Sequence, residues 1–121
     1  MHELSITRSV VRTVTEATGE HRVLVVRMRI GVLSGVVPDA LRFAWDVAVL
    51  DGPLADSRLE IDEVPAAVTC RDCGLTSDLT DPLPLMCPEC GRREVDLVRG
   101  REIEVVNADI DDGFPATEAA A

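Results

Sequence analysis

The sequence predicts an α+β fold in which two helices cover one face of a three-stranded sheet and a four-cysteine insert interrupts that sheet. Two observations support this prediction. Apolar residues recur at helical spacing in two segments and at strand spacing in three, in the order helix, strand, helix, strand, strand. All four cysteines of the 121-residue chain fall between the second and third of these strands. We therefore expect an α/β domain over residues 1–65 and 100–110, an insert over 66–99 and a disordered tail over 111–121.

Both predicted helices have one apolar side. The first covers residues 4–18 and ends before Gly19, and its apolar stripe recurs every three or four positions. That stripe consists of Ile6, Val10, Val11, Val14 and Ala17. The second begins at Pro38, which suits a first helical turn, and runs to about Leu50. Its stripe consists of Leu41, Ala44, Trp45, Ala48 and Val49.

The three predicted strands cover residues 23–30, 58–64 and 101–108. In the first, one face is wholly apolar and the other ends in Arg27 and Arg29, which is typical of a sheet covered on one side. The apolar face consists of Leu24, Val26, Met28 and Ile30.

Charge and composition exclude several classes of partner. The chain carries 12 basic and 22 acidic residues, a net charge of −10, and only 2% of its residues are aromatic. A phosphate polyanion would be repelled, so we expect neither nucleic acid nor an anionic membrane as partner. No apolar run reaches bilayer length, and the chain start lacks a signal-peptide pattern. We expect a cytoplasmic protein whose cysteines stay reduced.

The insert carries two copies of the pattern Cys-x-x-Cys-Gly, with 13 residues between the pairs. Two intervening residues let a tight turn aim both thiolates at one ion, and two such turns complete a tetrahedral shell around Zn²⁺. The ligands would be Cys70, Cys73, Cys87 and Cys90. Because this shell leaves no open position, the zinc would be structural, and the insert would be a four-cysteine zinc ribbon. Two disulfides or a redox dithiol are the alternatives.

The chain start suits a second metal. The amine of Met1, the amide nitrogen of His2 and its imidazole form adjoining five- and six-membered chelate rings, and such planar nitrogen coordination favours Ni²⁺ or Cu²⁺. The amide of Glu3, its carboxylate or water would complete the plane. Alternatively, His2 is an ordinary surface residue and Glu3 only stabilises the helix dipole. We expect His21 to be a surface residue.

The sequence does not indicate an enzyme. No serine or cysteine nucleophile has a plausible base, since the four cysteines are assigned to metal, and no glycine-rich phosphate loop is present.

Five segments of the chain form a specific combination. They are the start Met1-His2-Glu3, residues 30–35 (Ile-Gly-Val-Leu-Ser-Gly), residues 38–44 (Pro-Asp-Ala-Leu-Arg-Phe-Ala), the doubled cysteine motif and Gly100-Arg101-Glu102. Taken together, these features resemble the HypA/HybF family of hydrogenase maturation nickel metallochaperones, and the resemblance covers residues 1–110.

The resemblance implies that Met1, His2 and Glu3 carry transient Ni²⁺ while the four cysteines hold structural Zn²⁺. It also implies delivery of Ni²⁺ to the large subunit of [NiFe] hydrogenase together with the GTPase HypB, and some members of the family also supply urease. The alternatives are a zinc-ribbon adaptor that binds proteins without delivering nickel and, third, a nucleic-acid-binding ribbon protein.

Overall fold

The structure is a computed structural model that describes residues 2–81 and 84–111. The elements in chain order are α1 (Glu3–Thr18), β1 (Arg22–Gly31), α2 (Pro38–Ala48), β2 (Arg58–Val64), β3 (Ala67–Cys70), β4 (Thr76–Asp78), β5 (Val95–Arg99) and β6 (Ile103–Asp111). They form two three-stranded sheets, one in the order β2-β1-β6 and one in the order β4-β3-β5. The predicted α+β fold class, with a cysteine insert between the second and third strands of the main sheet, is confirmed.

The described residues divide into two compact units. The first contains residues 2–28, 37–61 and 105–111, and the second contains residues 29–36, 62–81 and 84–104. Both helices lie in the first unit and all four cysteines in the second. No helix within the described part of the chain is long and apolar enough to span a membrane.

Helix α1 buries a stripe that differs in part from the predicted one. Val10 and Val14 are buried as expected, whereas Ala17 is exposed and Thr7 is fully buried. Thr7 tolerates burial because its hydroxyl donates a hydrogen bond of 2.8 Å to the Leu4 carbonyl. The helix contacts α2, so the two stripes pack within one unit.

Helix α2 buries Leu41, Ala44 and Trp45, and it ends at Ala48, two residues before the predicted end. The Trp45 indole is 1% exposed, and its Nε1 donates to the Ser57 hydroxyl at 3.0 Å. That hydroxyl in turn donates to the Leu54 carbonyl at 2.6 Å. The indole N–H of Trp45, the largest side chain of the core, therefore has its hydrogen-bond acceptor in the turn that follows the helix.

Strand β1 departs from strict alternation. Val26, Met28 and Ile30 are buried as predicted, but Leu24 is 38% exposed, while Val23 and Val25 are buried on the opposite face. At this end of the strand, the Val23 amide donates to the Pro53 carbonyl at 2.9 Å, so the turn after α2 holds Val23 inward. The wholly apolar face predicted for β1 thus applies only to its second half.

Within the first unit, Arg27 of β1 is ion-paired with residues of both neighbouring strands. Its guanidinium contacts Glu60 of β2 at 3.1 Å and Asp109 of β6 at 2.8 Å. Donation from Arg27 lowers the pKa of the Asp109 carboxyl below its usual value. Strand β6 includes Asp109 and continues to Asp111, three residues beyond its predicted end. Residues 112–121, the remainder of the predicted tail, lie outside the described residues.

Two of the segments that carry the resemblance meet in the second unit. The Gly31 amide donates to the Glu102 carbonyl at 2.8 Å, and the Leu33 amide donates to the Gly100 carbonyl at 2.7 Å. A Cβ atom on Gly31 would overlap the Gly100 carbonyl, so this close backbone approach requires glycine. Gly100 itself has a φ of 126°, which favours glycine for a separate reason.

Candidate metal centre

Two turns of the same conformation carry the four cysteines. The Gly74 amide donates to the Cys70 carbonyl at 3.0 Å, and the Gly91 amide donates to the Cys87 carbonyl at 2.9 Å. Both glycines have a φ of 76°, a left-handed conformation that residues with a Cβ atom rarely adopt. This explains why a glycine follows each cysteine pair.

Each turn is also closed from the outside by a backbone hydrogen bond. The Cys70 amide donates to the Leu75 carbonyl at 2.9 Å, and the Cys87 amide donates to the Arg92 carbonyl at 2.8 Å. The Cys73 amide lies 3.4 Å from the Cys70 sulfur, within hydrogen-bond distance. The main chain therefore fixes the direction of the sulfurs.

The four sulfurs form one compact cluster. All of them lie within 4.8 Å of one another, with Cys70 Sγ 3.6 Å from Cys90 Sγ and Cys73 Sγ 3.7 Å from Cys87 Sγ. A tetrahedral ion with metal–sulfur bonds of about 2.3 Å places its sulfurs about 3.8 Å apart. A disulfide needs about 2.05 Å, and all four cysteines are free. The geometry fits one tetrahedrally coordinated ion and excludes the disulfide alternative for this arrangement.

The cluster has a buried and an exposed side. Cys70 and Cys87 are 1% exposed, whereas Cys73 and Cys90 reach the surface. The same unit contains a small apolar core, to which β5 contributes. It consists of Ala66, Val68 and Leu79, with Leu33, Leu85, Val95 and Leu97 packed against it. A core of this size leaves the ribbon dependent on its metal.

Hydrogen bonds and neighbouring thiols separate the acidities of the cysteines. The Cys73 amide, followed by the Asp72 amide, stabilises the Cys70 thiolate and lowers the pKa of Cys70 to about 7. The Arg92 amide acts in the same direction on Cys90, but partial desolvation and the neighbouring sulfurs of Cys70 and Cys87 outweigh it and raise the pKa of Cys90 to about 11.

Ion pairs around the turns were missed by the sequence reasoning. Arg92 of the second turn contacts Asp72 of the first at 3.1 Å, and Arg71 contacts Asp96 of β5 at 2.7 Å. The sequence contains one indication of these ion pairs. The oppositely charged neighbours Arg71 and Asp72 lie between the first two cysteines. The Arg92–Asp72 pair joins the two turns, and the Arg71–Asp96 pair joins the first turn to β5.

The predicted site at the chain start is described only in part, because Met1 lies outside the described residues. His2 is exposed at the N-cap of α1, and its carbonyl accepts the first hydrogen bond of the helix, from the Ile6 amide at 3.2 Å. Glu3 lies in the first turn. Among residues 2–81 and 84–111, the four cysteines alone form a side-chain group able to share an ion. The assignment of Met1, His2 and Glu3 therefore stays a prediction, and His21 is exposed as expected.

The fold and the cysteine centre together define a small α+β metal-binding protein with a four-cysteine ribbon. Residues 1–110 match the family model described as "Hydrogenase/urease nickel incorporation, metallochaperone, hypA". The chain belongs to this HypA family, and the resemblance found in the sequence is confirmed. This is a family of maturation metallochaperones and not of enzymes, in agreement with the sequence prediction.

Two curated relatives are similar over most of their length. The hydrogenase maturation factor HypA of Chloroflexus aurantiacus is 45% identical over 109 residues, which cover 88% of this chain and 96% of the relative. The factor of the same name from Roseiflexus sp. is 44% identical and covers 99% of this chain and 100% of the relative.

A solved structure has the same fold. The solution structure of the Ni metallochaperone HypA from Helicobacter pylori matches with a TM-score of 0.63 at 19% identity, covering 91% of this chain and 97% of that one.

Proposed function

We propose that this chain binds Ni²⁺ at the Met1 amine, His2 and Glu3 and delivers it for the maturation of [NiFe] hydrogenase, while Cys70, Cys73, Cys87 and Cys90 hold a structural Zn²⁺. The observation that carries the proposal is the family match over residues 1–110, which spans both the chain start and the ribbon. The nickel-binding domain would comprise residues 1–65 and 100–110, and the zinc ribbon residues 66–99.

The start of α1 supports the nickel part of the proposal. The first helical hydrogen bond uses the His2 carbonyl, and the first amides of a helix have no partner inside it. The helix therefore does not need the amide nitrogens of His2 and Glu3 as donors. Each of them can release its proton to solvent and bind a metal. Since His2 is exposed, solvent and a partner's ligands can both reach its imidazole.

Charge supports the same assignment. The N-terminal end of a helix carries partial positive charge, which disfavours an added cation. One deprotonated amide and the Glu3 carboxylate would neutralise the two charges of Ni²⁺, so the complex would carry no net charge at this end. We infer that Glu3 contributes through its charge even where water completes the plane.

The cysteine centre supports the zinc part. Four thiolates at tetrahedral spacing suit Zn²⁺ and leave no position for a further ligand. An exposed terminal chelate can exchange its ligands one at a time, whereas this closed shell cannot. We propose that the Ni²⁺ at the chain start is cargo and that the Zn²⁺ at the four cysteines is permanently bound.

The proposed partners are those that membership of the family implies. We propose that the GTPase HypB and the large subunit of [NiFe] hydrogenase act with this chain in the cytoplasm, and that urease maturation proteins are the other class of recipient. Neither nucleic acid nor a membrane is proposed as partner. The net charge of −10 opposes binding to both polyanions and anionic bilayers.

The two histidines of the chain allow a matched test. His2→Ala should abolish planar Ni²⁺ binding. His21 is also exposed, and His21→Ala should bind Ni²⁺ like the wild type. Equilibrium dialysis with elemental analysis would measure both metals on untagged protein, and the nickel d–d absorption band would report planar coordination. The zinc content should be the same in all three proteins.

Undiminished nickel binding by His2→Ala would contradict the assignment. If His2→Ala also supported hydrogenase maturation like the wild type, the adaptor interpretation, in which the ribbon binds proteins without delivering nickel, would replace the proposal.

A further inference from the structure

The outer side of α2 carries apolar side chains where a surface helix ordinarily carries polar ones. Phe43 is 74% exposed and Val47, one turn later, is 47% exposed. Leu50, 72% exposed, follows in the turn after the helix. The interval of four residues aligns Phe43 and Val47 along one side of α2, opposite the buried Leu41, and Leu50 adds a third exposed apolar side chain just beyond the end of the helix. We refer to Phe43, Val47 and Leu50 as the α2 stripe.

Folding does not require the α2 stripe. The chain has only three aromatic residues, and of the two in the described part Trp45 is buried while Phe43 is largely exposed. Scattered exposed apolar residues are normal. A group of them at one end of a helix, with an aromatic side chain among them, is typical of a surface that binds another protein.

Acidic residues border the α2 stripe. Asp39 and Asp46 are seven residues apart and therefore lie on the same side of the helix, and Asp51 follows the stripe. Asp39 is ion-paired with Arg42 at 2.7 Å. Within the described residues, neither Asp46 nor Asp51 has a cationic partner. The border therefore offers negative charge to whatever covers the stripe.

A cleft of about 270 Å³ lies beside this border. Its lining consists of Arg42, Trp45, Asp46, Ser57, Arg58 and Leu59. Both guanidiniums are already ion-paired, Arg42 with Asp39 and Arg58 with Glu60 at 2.6 Å. The Ser57 hydroxyl is used by Trp45 and Leu54. Among the described residues of the cleft, the charged group without a partner is the Asp46 carboxylate, which suits an incoming guanidinium or ammonium group.

We propose that the α2 stripe and the Asp46 cleft form a docking site for an amphipathic helix of another protein whose apolar side is bordered by lysine or arginine. The apolar side chains of that helix pack on Phe43, Val47 and Leu50, and a basic side chain enters the cleft to pair with Asp46. This site is independent of the metal sites, so its test does not depend on nickel or zinc.

The test uses a designed peptide as probe. The peptide has about 18 residues, which is five helical turns, with leucines at every third or fourth position and arginines along both borders. A second peptide has glutamates in place of the arginines. Isothermal titration with the full-length chain should detect the arginine peptide and at least tenfold weaker binding of the glutamate peptide.

Three variants test which residues form the docking site. Phe43→Ala should weaken binding of the arginine peptide at least about tenfold, as expected for an aromatic anchor. Asp46→Asn should weaken it about threefold, less so at high salt. Val106→Ser changes a valine in β6 that is 52% exposed and should have no effect. Circular dichroism would verify that Phe43→Ala folds like the wild type.

Four results would overturn the proposal. They are equal affinity for both peptides, undiminished binding by Phe43→Ala, self-association of the chain that disappears in that variant, and Phe43-dependent sedimentation with phosphatidylcholine vesicles. The third would assign the stripe to a second copy of this chain and the fourth to a lipid surface.

Discussion

Ser57 is the residue on which the burial of Trp45 depends. Its hydroxyl accepts the hydrogen bond of the indole Nε1 at 3.0 Å and donates to the Leu54 carbonyl at 2.6 Å. No other acceptor for the indole is recorded within the described residues. Removing the hydroxyl would leave a buried donor without a partner, and the cost of such a donor exceeds the value of an average hydrogen bond.

We expect Ser57→Ala to lower the free energy of unfolding by about 1–3 kcal/mol. Ser9→Ala, at an exposed position of α1, is the control and should change it by about 0.5 kcal/mol or less. Urea unfolding followed by circular dichroism measures both variants. If Ser57→Ala were as stable as the control, the Trp45–Ser57 hydrogen bond would not contribute to the free energy of unfolding.

At the same scale, the sequence predicted the buried valines of α1 but not Thr7. A periodic pattern counts threonine as polar, although its hydroxyl can be satisfied by a carbonyl of the preceding turn, here that of Leu4. Leu24 failed for the opposite reason. Alternation placed it inward, whereas in the structure Val23 and Val25 on the opposite face are buried, and the Val23 amide is hydrogen-bonded to the Pro53 carbonyl.

At the scale of elements, the sequence predicted the metal cluster more completely than the strands that hold it. The spacing of the cysteines and the following glycines predicted that all four cysteines come together, because the turn geometry allows few alternatives, and the four sulfurs do form one cluster. Strands β3, β4 and β5 have only four, three and five residues, and much of β4 and β5 is exposed. Segments this short carry no readable period, so their pairing became visible only in the structure.

The ribbon should lose its structure when its metal is removed, and the helices should not. Its apolar core is small, whereas structural zinc in comparable peptides contributes about 10–16 kcal/mol. Treatment with a strong chelator should abolish hydrogen-exchange protection in β3 and β5 and leave protection in α1 and α2 unchanged. Added Zn²⁺ should restore it. Unchanged protection of β3 and β5 in protein shown to be metal-free would contradict this dependence.

At the scale of the whole molecule, the proposed roles of the two metal sites follow from how each is built. The cysteine centre is fixed by backbone hydrogen bonds and ion pairs within one unit. The proposed nickel ligands are main-chain nitrogens and one imidazole at an exposed helix start. The fold class and the family were predictable from the sequence, but the nickel site was not testable from side-chain geometry, because most of its proposed ligands belong to the backbone.

A feature of the composition makes the nickel site directly testable. The chain contains no lysine, and all 12 of its basic residues are arginines. An amine-specific acylating reagent therefore has the terminal amine as its one primary-amine target. The modification removes the basicity of that nitrogen, and hydroxylamine treatment afterwards reverses any acylation of His2 or of the cysteine thiols while the terminal amide remains.

The most direct measurement of the central claim is the nickel stoichiometry of the folded chain before and after acylation of its terminal amine, with zinc measured on the same samples. The account predicts that acylation abolishes planar nickel binding and leaves the zinc content unchanged, because the amine is one of the three chelating nitrogens. Planar nickel bound with equal affinity by the fully acylated chain would contradict it.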